Sequence, residues 1–315
     1  MTKKIALVAG ASRGLGLLLA HELGARGYRL VICARDADTL DAAAQQLRGA
    51  GFEVHPRVCD VGDNAAVVDL VAGIENGIGP IEVLITVAGT IQVGPLAELD
   101  HGHFEQAVST MLWGPVNLAL AVVEPMRRRG SGHIATVTSI GGMVSVPHLL
   151  PYSTAKFGAV GFSQGLRSEL SGSGVSVTTI VPGLMRTGSH LRALFTGRQS
   201  AEYFWFSLGA STPVVSMAAE RAAARMVKGV LAGRTMVVLT PLAKVAIRVH
   251  GLAPAFTAAL LGRAGRLLPG PASGDQATME GAQARSRMDP AIRAVHDRLT
   301  RLGRRAAGRF NEARP

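Results

Sequence analysis

Tyr152 and Lys156 stand four residues apart at the start of a predicted helix, directly after Pro151. This spacing places the phenol and the ammonium on one helical face, where the positive charge lowers the phenol pKa from about 10. Ser139 precedes Tyr152 by thirteen residues and closes a predicted strand, at the edge where doubly wound sheets bind ligands. The three residues predict general acid–base chemistry, against the alternative of an exposed helical pair.

A glycine-rich segment follows the first predicted strand and opens the first predicted helix. Glycines permit positive φ angles and let backbone N–H groups approach a pyrophosphate at a helix N-terminus. The absence of a following Lys-Ser/Thr pair excludes a Walker-type phosphate loop. We therefore expect the turn to bind a dinucleotide through Gly10, Ser12, Arg13, Gly14, Leu15 and Gly16.

The end of the second predicted strand favours NADP(H) over NAD(H). An acidic residue at this point accepts the adenosine ribose hydroxyls, whereas an arginine pairs with a 2′-phosphate. Ala34 occupies the acidic position, Arg35 follows it, and Arg13 in the glycine turn can reach the same space. NAD(H) stays open as the alternative, because nearby aspartates partly screen both arginines.

Short apolar runs alternate with longer segments of helical spacing. Because the runs are continuously apolar, they indicate a sheet covered on both faces. We predict an α/β fold with a doubly wound, mainly parallel, seven-stranded Rossmann-like sheet and helices on both faces. The predicted strands are Ile5–Val8, Leu30–Cys33, Val54–Val58, Val83–Val87, Ile134–Val137, Val175–Val181 and Met236–Leu239.

Over about Lys4–Leu239 the chain resembles the short-chain dehydrogenase/reductase family of single-domain enzymes. The resemblance implies hydride transfer between nicotinamide C4 and a carbonyl carbon. Tyr152 would protonate the oxygen, Ser139 would hold it, and Lys156 would bind the ribose. The long central helices resemble those that build the family's dimer contacts, which implies a homo-oligomer, either a dimer or a tetramer. Further implied cofactor contacts are Asp60, Val61, Ala88, Gly89, Pro182, Gly183 and Thr187.

Two departures from the family pattern bear on turnover. The family's Asn-Asn-Ala-Gly is replaced by Thr86–Gly89, which keeps the glycine but loses side-chain hydrogen bonds. Met111 stands where the family has a helical asparagine, and a thioether cannot hold the water that links the lysine to solvent. Two hypotheses follow: an enzyme of altered activity, or a cofactor-binding sensor or scaffold with weak or no turnover.

The segment at about residues 184–216 is predicted to close over the substrate. Its aromatic residues favour an apolar alcohol or ketone, lipid-like or polycyclic. Core packing is the alternative role for these side chains. The expected pocket residues are Leu149, Phe195, Phe204 and Trp205.

Charge divides the chain unevenly. Residues 1–220 carry 16 Lys+Arg and 17 Asp+Glu, and residues 221–315 carry 17 and 5. The nearly neutral body argues against nucleic-acid binding. We divide the chain into a catalytic domain, residues 1–240, and an amphipathic, helical, Arg-rich extension, residues 241–315. The extension has two open interpretations: a membrane surface, or packing within the chain or an oligomer.

Cysteine and histidine content limits the remaining function classes. Two cysteines exclude a disulfide scaffold and a thiolate zinc site, and they fit a reducing compartment. His101 and His103 have no accompanying ligand cluster, so we expect no metal. We expect a cytoplasmic protein, with peripheral membrane association through the extension, that acts on a small apolar substrate.

Overall fold

Seven parallel strands form the central sheet in the computed structural model of the chain, which describes residues 3–212, 216–272 and 277–312. A sheet of two short strands and a sheet of three flank it within the described residues. The strands, in chain order, are β1 Ile5–Ala9, β2 Arg29–Ala34, β3 Val54–Val58, β4 Ile81–Thr86, β5 Gln92–Val93, β6 Gly132–Val137, β7 Val175–Val181, β8 Leu184–Arg186, β9 Leu194–Phe195, β10 Ser216–Ala218, β11 Met236–Val238 and β12 Met279–Glu280.

Helices connect the strands and form the end of the described chain. In chain order they are α1 Gly14–Gly24, α2 Ala37–Gly49, α3 Asn64–Gly77, α4 His101–Val108, α5 Gly114–Arg129, α6 Leu150–Glu169, α7 Ser189–Arg192, α8 Gln199–Ser211, α9 Ala219–Leu231, α10 Pro241–Leu252, α11 Pro254–Gly265, α12 Gly281–Ser286, α13 Pro290–Leu299 and α14 Arg301–Arg309.

The central sheet has the strand order β11-β7-β6-β4-β1-β2-β3, and every neighbouring pair is parallel. The predicted doubly wound, seven-stranded sheet is therefore confirmed. The order reverses direction at β1, since β2 lies on one side of it and β4 on the other. Loops after neighbouring strands part at such a switch point and leave a crevice at the carboxyl edge.

Apolar residues cover both faces of the sheet. On one face, α1, α2 and α9 bury side chains such as Leu23, Leu47 and Met226 against β1 and β2. On the other, α3 and α5 bury Ile74 and Leu118 against the same strands. Burial on both sides explains why the strands are continuously apolar rather than alternating.

Acidic caps fix where two crossover helices begin. Asp36 caps α2 by accepting a 2.8 Å hydrogen bond from Thr39 N–H. Asp63 caps α3 in the same way, accepting from the N–H groups of Ala65 and Ala66. A carboxylate at this position satisfies N–H groups that have no partner within the helix. Both caps lie just beyond the strand ends that carry predicted cofactor residues.

One continuous helical run, His101–Arg129, joins α4 and α5 through a π turn at Ser109–Trp113. By length and apolar composition this run could cross a membrane, yet half of its most apolar window is buried in the protein. Leu118 and Val122 on this run are fully buried against the sheet. The run is therefore a core helix of the α/β fold.

The described residues after 240 fold back onto the rest of the chain. α10 and α11 meet at an angle of 119°. β12 pairs antiparallel with β9, and Arg285 of α12 is paired with Asp297 of α13. The predicted substrate segment and the predicted extension each include a part, residues 213–215 and residues 273–276 and 313–315, that lies outside the described residues.

Candidate active site

The crevice at the carboxyl edge of the sheet collects the predicted site residues. The glycine turn follows β1, and the other predicted residues follow or close neighbouring strands of the same parallel sheet. In strand order they are Arg35 after β2, Asp60 and Val61 after β3, Ala88 and Gly89 after β4, Ser139 after β6, and Pro182 and Gly183 after β7.

The glycine turn disfavours side chains at three positions, two because backbone lies too close and one because of a left-handed φ angle. Gly10 has φ +93°, and a methyl group on it would lie 2.5 Å from Ala88 N. A methyl group on Gly16 would lie 2.0 Å from the Gly10 carbonyl oxygen. Gly14 has φ +55° and stands at the first position of α1. A side-chain-free turn at a helix N-terminus fits the pyrophosphate of a dinucleotide.

The last described residues of the chain lie against this turn, which the sequence analysis did not foresee. Gly14 N–H donates a 2.8 Å hydrogen bond to the Phe310 carbonyl oxygen. Asn311 Nδ2 donates to the Ser12 carbonyl oxygen at 2.9 Å. Helical spacing in the extension indicated that a helix would form there, and no sequence signal indicated where it would dock.

Two arginines flank the part of the crevice predicted to bind the adenosine ribose. Arg35 is half exposed, and its Nη1 lies 3.9 Å from Asp60 Oδ2, an ion pair that high dielectric weakens. Arg13 is partly buried, and this burial lowers the pKa of its guanidinium. Val61 is buried, and its carbonyl oxygen accepts a 3.0 Å hydrogen bond from Asn117 Nδ2. Asn117 therefore orders the loop that is predicted to contact the adenine.

The proposed acid–base group forms one connected cluster. Ser139 follows β6, and its hydroxyl oxygen accepts a 3.0 Å hydrogen bond from Gly141 N–H. A methyl group on Gly141 would lie 3.6 Å from Ser139 Oγ and 3.1 Å from the Tyr152 ring, so the two side chains border the same space. Lys156 lies one turn further along α6, with Nζ 5.9 Å from the centre of the Tyr152 ring. The structure thus brings together the three residues predicted to be catalytic.

Burial dominates the proton affinities within this cluster. It raises the pKa of Tyr152, and the hydrogen bond with Ser139 opposes the rise. It lowers the pKa of Lys156 to about 8. The expected lowering of the phenol pKa by Lys156 is not found, because Nζ instead donates a 2.8 Å hydrogen bond to the Val137 carbonyl oxygen. Ser139 is the nearer tuning group for the phenol.

Met111 lies beside this lysine. The side chain is fully buried on the π turn and packs with Ala155 and Tyr152. A methyl group on Gly89 would lie 3.2 Å from Met111 Sδ and 3.9 Å from Lys156 Nζ, so the thioether and the ammonium border the same small space. An apolar neighbour removes water from the ammonium and so disfavours its charged form. This agrees with the lowered pKa of Lys156.

The loop after β7 closes the other side of the crevice. Pro182 accepts a 2.8 Å hydrogen bond from Ile140 N–H through its carbonyl oxygen, which ties this loop to the one that carries Ser139. Gly183 passes close to Thr240, which would lie 2.3 Å from an added methyl group. Thr187 is buried and donates to Ser189 Oγ at 2.9 Å. These contacts hold the predicted nicotinamide loop beside Ser139.

The aromatic residues predicted to line the substrate pocket form a cluster that includes Tyr152. Phe195 is fully buried beneath it, in ring contact with Tyr203 and Phe206. Phe204 and Trp205 are partly exposed at its edge. Phe195 therefore has the alternative role of core packing. Phe204 and Trp205 lie nearer to solvent. Leu149 is buried in the same cluster.

A buried polar group beside this cluster was missed by the sequence analysis. The Glu202 carboxylate is fully buried, receives a 2.7 Å hydrogen bond from Trp205 Nε1 and lies 2.8 Å from His148 Nδ1. His148 has φ +63°, a strained value for a residue with a side chain, immediately before Leu149. This group fixes the loop that leads into α6 and Tyr152. A histidine and a glutamate 54 positions apart carry no sequence signal for such pairing.

Comparison with known proteins identifies the family. A family model described as short chain dehydrogenase matches residues 4–193. The chain belongs to the short-chain dehydrogenase family. As a member it is an NAD(P)-dependent oxidoreductase, and the predicted resemblance is confirmed. Within the described residues, no group of three or more His, Cys, Asp or Glu side chains is arranged to hold a metal ion.

Similar proteins whose names state an activity are reductases and dehydrogenases. A putative ketoacyl reductase of Streptomyces coelicolor is 38% identical over 186 residues, which is 58% of this chain and 71% of the relative. A granaticin polyketide synthase putative ketoacyl reductase of Streptomyces violaceoruber is 35% identical, over 59% of this chain and 69% of the relative.

Solved structures share the fold. An actinorhodin polyketide ketoreductase variant with NADPH has a TM-score of 0.68 at 31% identity, covering 75% of this chain and 95% of that chain. A gluconate 5-dehydrogenase of Burkholderia cenocepacia with NADP and tartrate has a TM-score of 0.66 at 23% identity, covering 76% and 94%, a likeness of fold alone.

Replacement of the buried lysine should stabilise the fold while it removes the ribose contact. Lys156→Met removes an ammonium whose pKa in the fold is about 8 rather than 10.5. This removal should stabilise the folded chain by about 3 kcal/mol below pH 8. Loss of the hydrogen bond to the Val137 carbonyl oxygen offsets about 1 kcal/mol of this stabilisation. We expect the thermal midpoint at pH 7 to rise by about 4 °C.

The pH dependence gives the sign of this effect. The unfolded chain keeps the lysine proton up to about pH 10.5 and the folded chain releases it near 8, so wild-type stability rises with pH between these values. The gain in Lys156→Met is therefore largest below pH 8 and fades above it. Calorimetry at several pH values measures this, with the exposed Lys228→Met as control. A lower midpoint for Lys156→Met at pH 7 would contradict the assignment.

Met111→Asn should restore a polar neighbour for the lysine. We expect the Lys156 pKa to rise by about one unit, moving the alkaline limb of the rate profile upward, and turnover to increase several-fold. Met111→Leu is the control, because it keeps the volume and the apolar character. Initial rates from pH 6 to 10 measure both. If Met111→Asn and Met111→Leu give the same rate and the same pH profile, Met111 does not limit the link between Lys156 and solvent.

Proposed function

We propose that this protein interconverts an alcohol and a carbonyl on an apolar, lipid-like or polycyclic substrate and uses NADP(H) in preference to NAD(H). One observation carries the proposal. Tyr152 and Ser139 border the same space at the sheet edge, since a methyl group on Gly141 would lie 3.1 Å from the Tyr152 ring and 3.6 Å from Ser139 Oγ. This space lies between a glycine turn suited to a dinucleotide and an apolar aromatic cluster. A proton donor placed between a cofactor site and an apolar wall is the arrangement that carbonyl reduction requires.

Each part of the crevice fits one part of the cofactor. The glycine turn would hold the pyrophosphate, Arg13 and Arg35 the 2′-phosphate, and Asp60 with Val61 the adenine. When bound, the nicotinamide supplies or accepts the hydride. A similar ketoreductase with NADPH bound supports the preference for the phosphorylated cofactor.

The side chains of the chain itself perform the proton chemistry. Tyr152 donates its proton to the carbonyl oxygen as negative charge develops there, and Ser139 hydrogen-bonds the same oxygen and orients it. Lys156 binds the ribose and holds a positive charge one turn from the phenol. Because burial raises the Tyr152 pKa, the phenol is protonated at neutral pH and serves as an acid in the reductive direction.

The substrate class rests on the cluster around Tyr152. Leu149, Phe204 and Trp205 give this side of the site an apolar surface, with Phe195 beneath it. Curated relatives named as ketoacyl reductases support a ketone on an extended carbon skeleton. Hydrophobic walls with a few fixed polar groups are typical of sites for such ligands.

A second candidate function is a cofactor-binding sensor or scaffold with weak or no turnover. The specific observation is the buried Met111 thioether beside Lys156. This arrangement leaves the lysine without a polar route to solvent on that side, which slows proton resupply. If the protein binds the dinucleotide and turns over no carbonyl at a measurable rate, this second function is favoured.

Tyr152→Phe separates binding from chemistry. We expect the variant to bind NADPH as the wild type does and to lose 10²–10⁴-fold in turnover, because it lacks only the proton donor. Fluorescence titration with NADPH and NADH, followed by a panel of apolar ketones at the nicotinamide absorbance, measures both properties. Thr154→Val, an exposed change on the same helix, is the control.

The same titration tests the choice of cofactor. We expect NADPH to bind the wild type more tightly than NADH does. Arg35→Ala should reduce the ratio between the two dissociation constants. Tighter binding of NADH would overturn the assignment of Arg13 and Arg35. Equal turnover by Tyr152→Phe and the wild type would overturn the acid–base role.

We also propose that α10 and α11 bind an anionic lipid surface. Their exposed apolar side chains form a stripe along both helices at Leu242, Val245, Val249, Leu252, Phe256 and Leu260, and the exposed Leu267 lies just after α11. Cations flank this stripe at Lys244, Arg248, Arg263 and Arg266.

Charge favours lipid over a second protein chain as the occupant. Residues 221–274 contain eight Lys or Arg residues and neither Asp nor Glu. An interfacial helix combines an apolar face with basic flanks, and each basic residue near an anionic surface adds about 1 kcal/mol. A groove of about 490 Å³ runs between α11 and the loop before Tyr152, lined by Leu96, His148 and Leu261. A lipid-like substrate reaches the site from the membrane side along this groove.

Flotation with vesicles tests the lipid surface. We expect the full chain to float with phosphatidylserine-containing vesicles, and less at high salt or with phosphatidylcholine alone. The double change Leu252→Glu and Phe256→Glu should abolish flotation, and the exposed Val58→Glu on β3 should not. If the double variant floats as the wild type does, lipid binding by this face is wrong.

Two further features are proposed with the function. Trp113, Leu120 and Phe157 are exposed on the π turn, α5 and α6, and they suit a homo-oligomer built on these helices, a dimer or a tetramer. Cys33 and Cys59 are both free and buried, in keeping with a cytoplasmic protein.

A further inference from the structure

The C-terminal segment, residues 301–312, covers the mouth of the proposed dinucleotide crevice. It consists of α14 and Phe310–Glu312, and it follows Thr300, the residue after α13. α13 is held to α8 by a 2.7 Å hydrogen bond between His296 Nε2 and Ser207 Oγ. The segment can therefore leave the crevice by a change at Thr300 without loss of the packing before it.

The segment uses the polar groups that the glycine turn offers to a ligand. The N–H of Gly14, at the start of α1, donates to the Phe310 carbonyl oxygen at 2.8 Å. The Glu312 carboxylate accepts a hydrogen bond from Gly188 N–H, across the crevice, and is only 6% exposed. A methyl group on Gly14 would lie 2.6 Å from Glu312 Oε1. A carbonyl oxygen and a carboxylate thus lie at the helix N-terminus that is suited to phosphate.

Apolar packing holds the segment in place. Phe310 is 4% exposed and packs against Ala219 and Leu18. Burial of a phenylalanine ring stabilises more than one surface ion pair does, so the ring is the principal anchor. Arg13 and Arg192 favour the ionised form of Glu312 and offset part of the cost of its burial.

We propose that the C-terminal segment and NADP(H) are alternative occupants of the same crevice, so that the segment is a built-in competitor of the cofactor. The inference rests on the proposed function, in that it takes the glycine turn as the pyrophosphate site. A single N–H group of Gly14 cannot serve both the Phe310 carbonyl oxygen and a phosphate oxygen. The Glu312 carboxylate and a pyrophosphate, both anionic, also repel each other at this distance.

Glu312 gives the competition a pH dependence. Burial raises its pKa to about 7, while Arg13 and Arg192 oppose the rise; Asp36 and Glu280 face Arg13 and weaken that opposition. The docked segment therefore takes up a proton between about pH 4.5, its ordinary pKa, and pH 7. Docking is favoured at low pH and is progressively weakened up to pH 7, so cofactor affinity should rise over this range.

Hydrogen exchange of the full chain with and without NADPH tests the exclusion directly. We expect NADPH to protect the amides of residues 10–16 and to increase exchange in residues 301–312. Phe310→Ala should lower the NADPH dissociation constant at least tenfold, because it removes the anchor of the competitor and no group that binds the cofactor. Phe256→Ala, an exposed ring on α11, is the control and should change nothing. Between pH 5 and 8, the affinity of the wild type should rise more steeply than that of Phe310→Ala.

The outcomes separate this inference from the proposed function. If NADPH binds while residues 301–312 stay protected, and Phe310→Ala binds no more tightly than the wild type, the competitor role is wrong and the cofactor assignment stands. If neither the wild type nor Phe310→Ala binds NADPH or NADH, the cofactor assignment and the competitor role are both overturned.

Discussion

The close approach of the chain after β1 to the chain after β4 is the constraint on which the rest of the site depends. Gly10 and Ala88 lie so near each other that a single added methyl group would stand 2.5 Å from backbone nitrogen. Only glycine satisfies both this distance and a φ of +93°. Beyond this contact the two chains part at the switch point of the sheet and leave the crevice, and the parallel order of the strands brings the other predicted site residues to its rim.

Desolvation governs the chemistry inside that crevice. Lys156 is buried between Met111 and the Val137 carbonyl oxygen, and the same burial raises the pKa of Tyr152. A site built in this way holds an uncharged phenol and a reluctantly charged amine. Burial of the Lys156 ammonium reduces the stability of the fold at the point where the proposed chemistry uses a cation, a conflict common at catalytic sites. The Ser139 hydroxyl opposes the rise in the Tyr152 pKa without adding a charge.

The described parts of the extension surround the site instead of trailing from it. α10 and α11 border a groove beside the loop that precedes α6, and β12 adds a strand beside Phe195. The C-terminal segment lies against the glycine turn. Residues after 240 therefore lie beside both the proposed substrate side and the proposed cofactor side of the crevice.

Local sequence determined the sheet, the glycine turn and the Ser139–Tyr152–Lys156 cluster, because periodicity, steric demand and helical spacing act over a few neighbouring residues. Tertiary structure alone decided the contacts between distant parts of the chain. Phe310 meets Gly14 and Glu202 meets His148 through packing and desolvation, which no local pattern encodes. The same long-range packing turned the amine of Lys156 toward a carbonyl oxygen and away from the predicted tuning of the phenol.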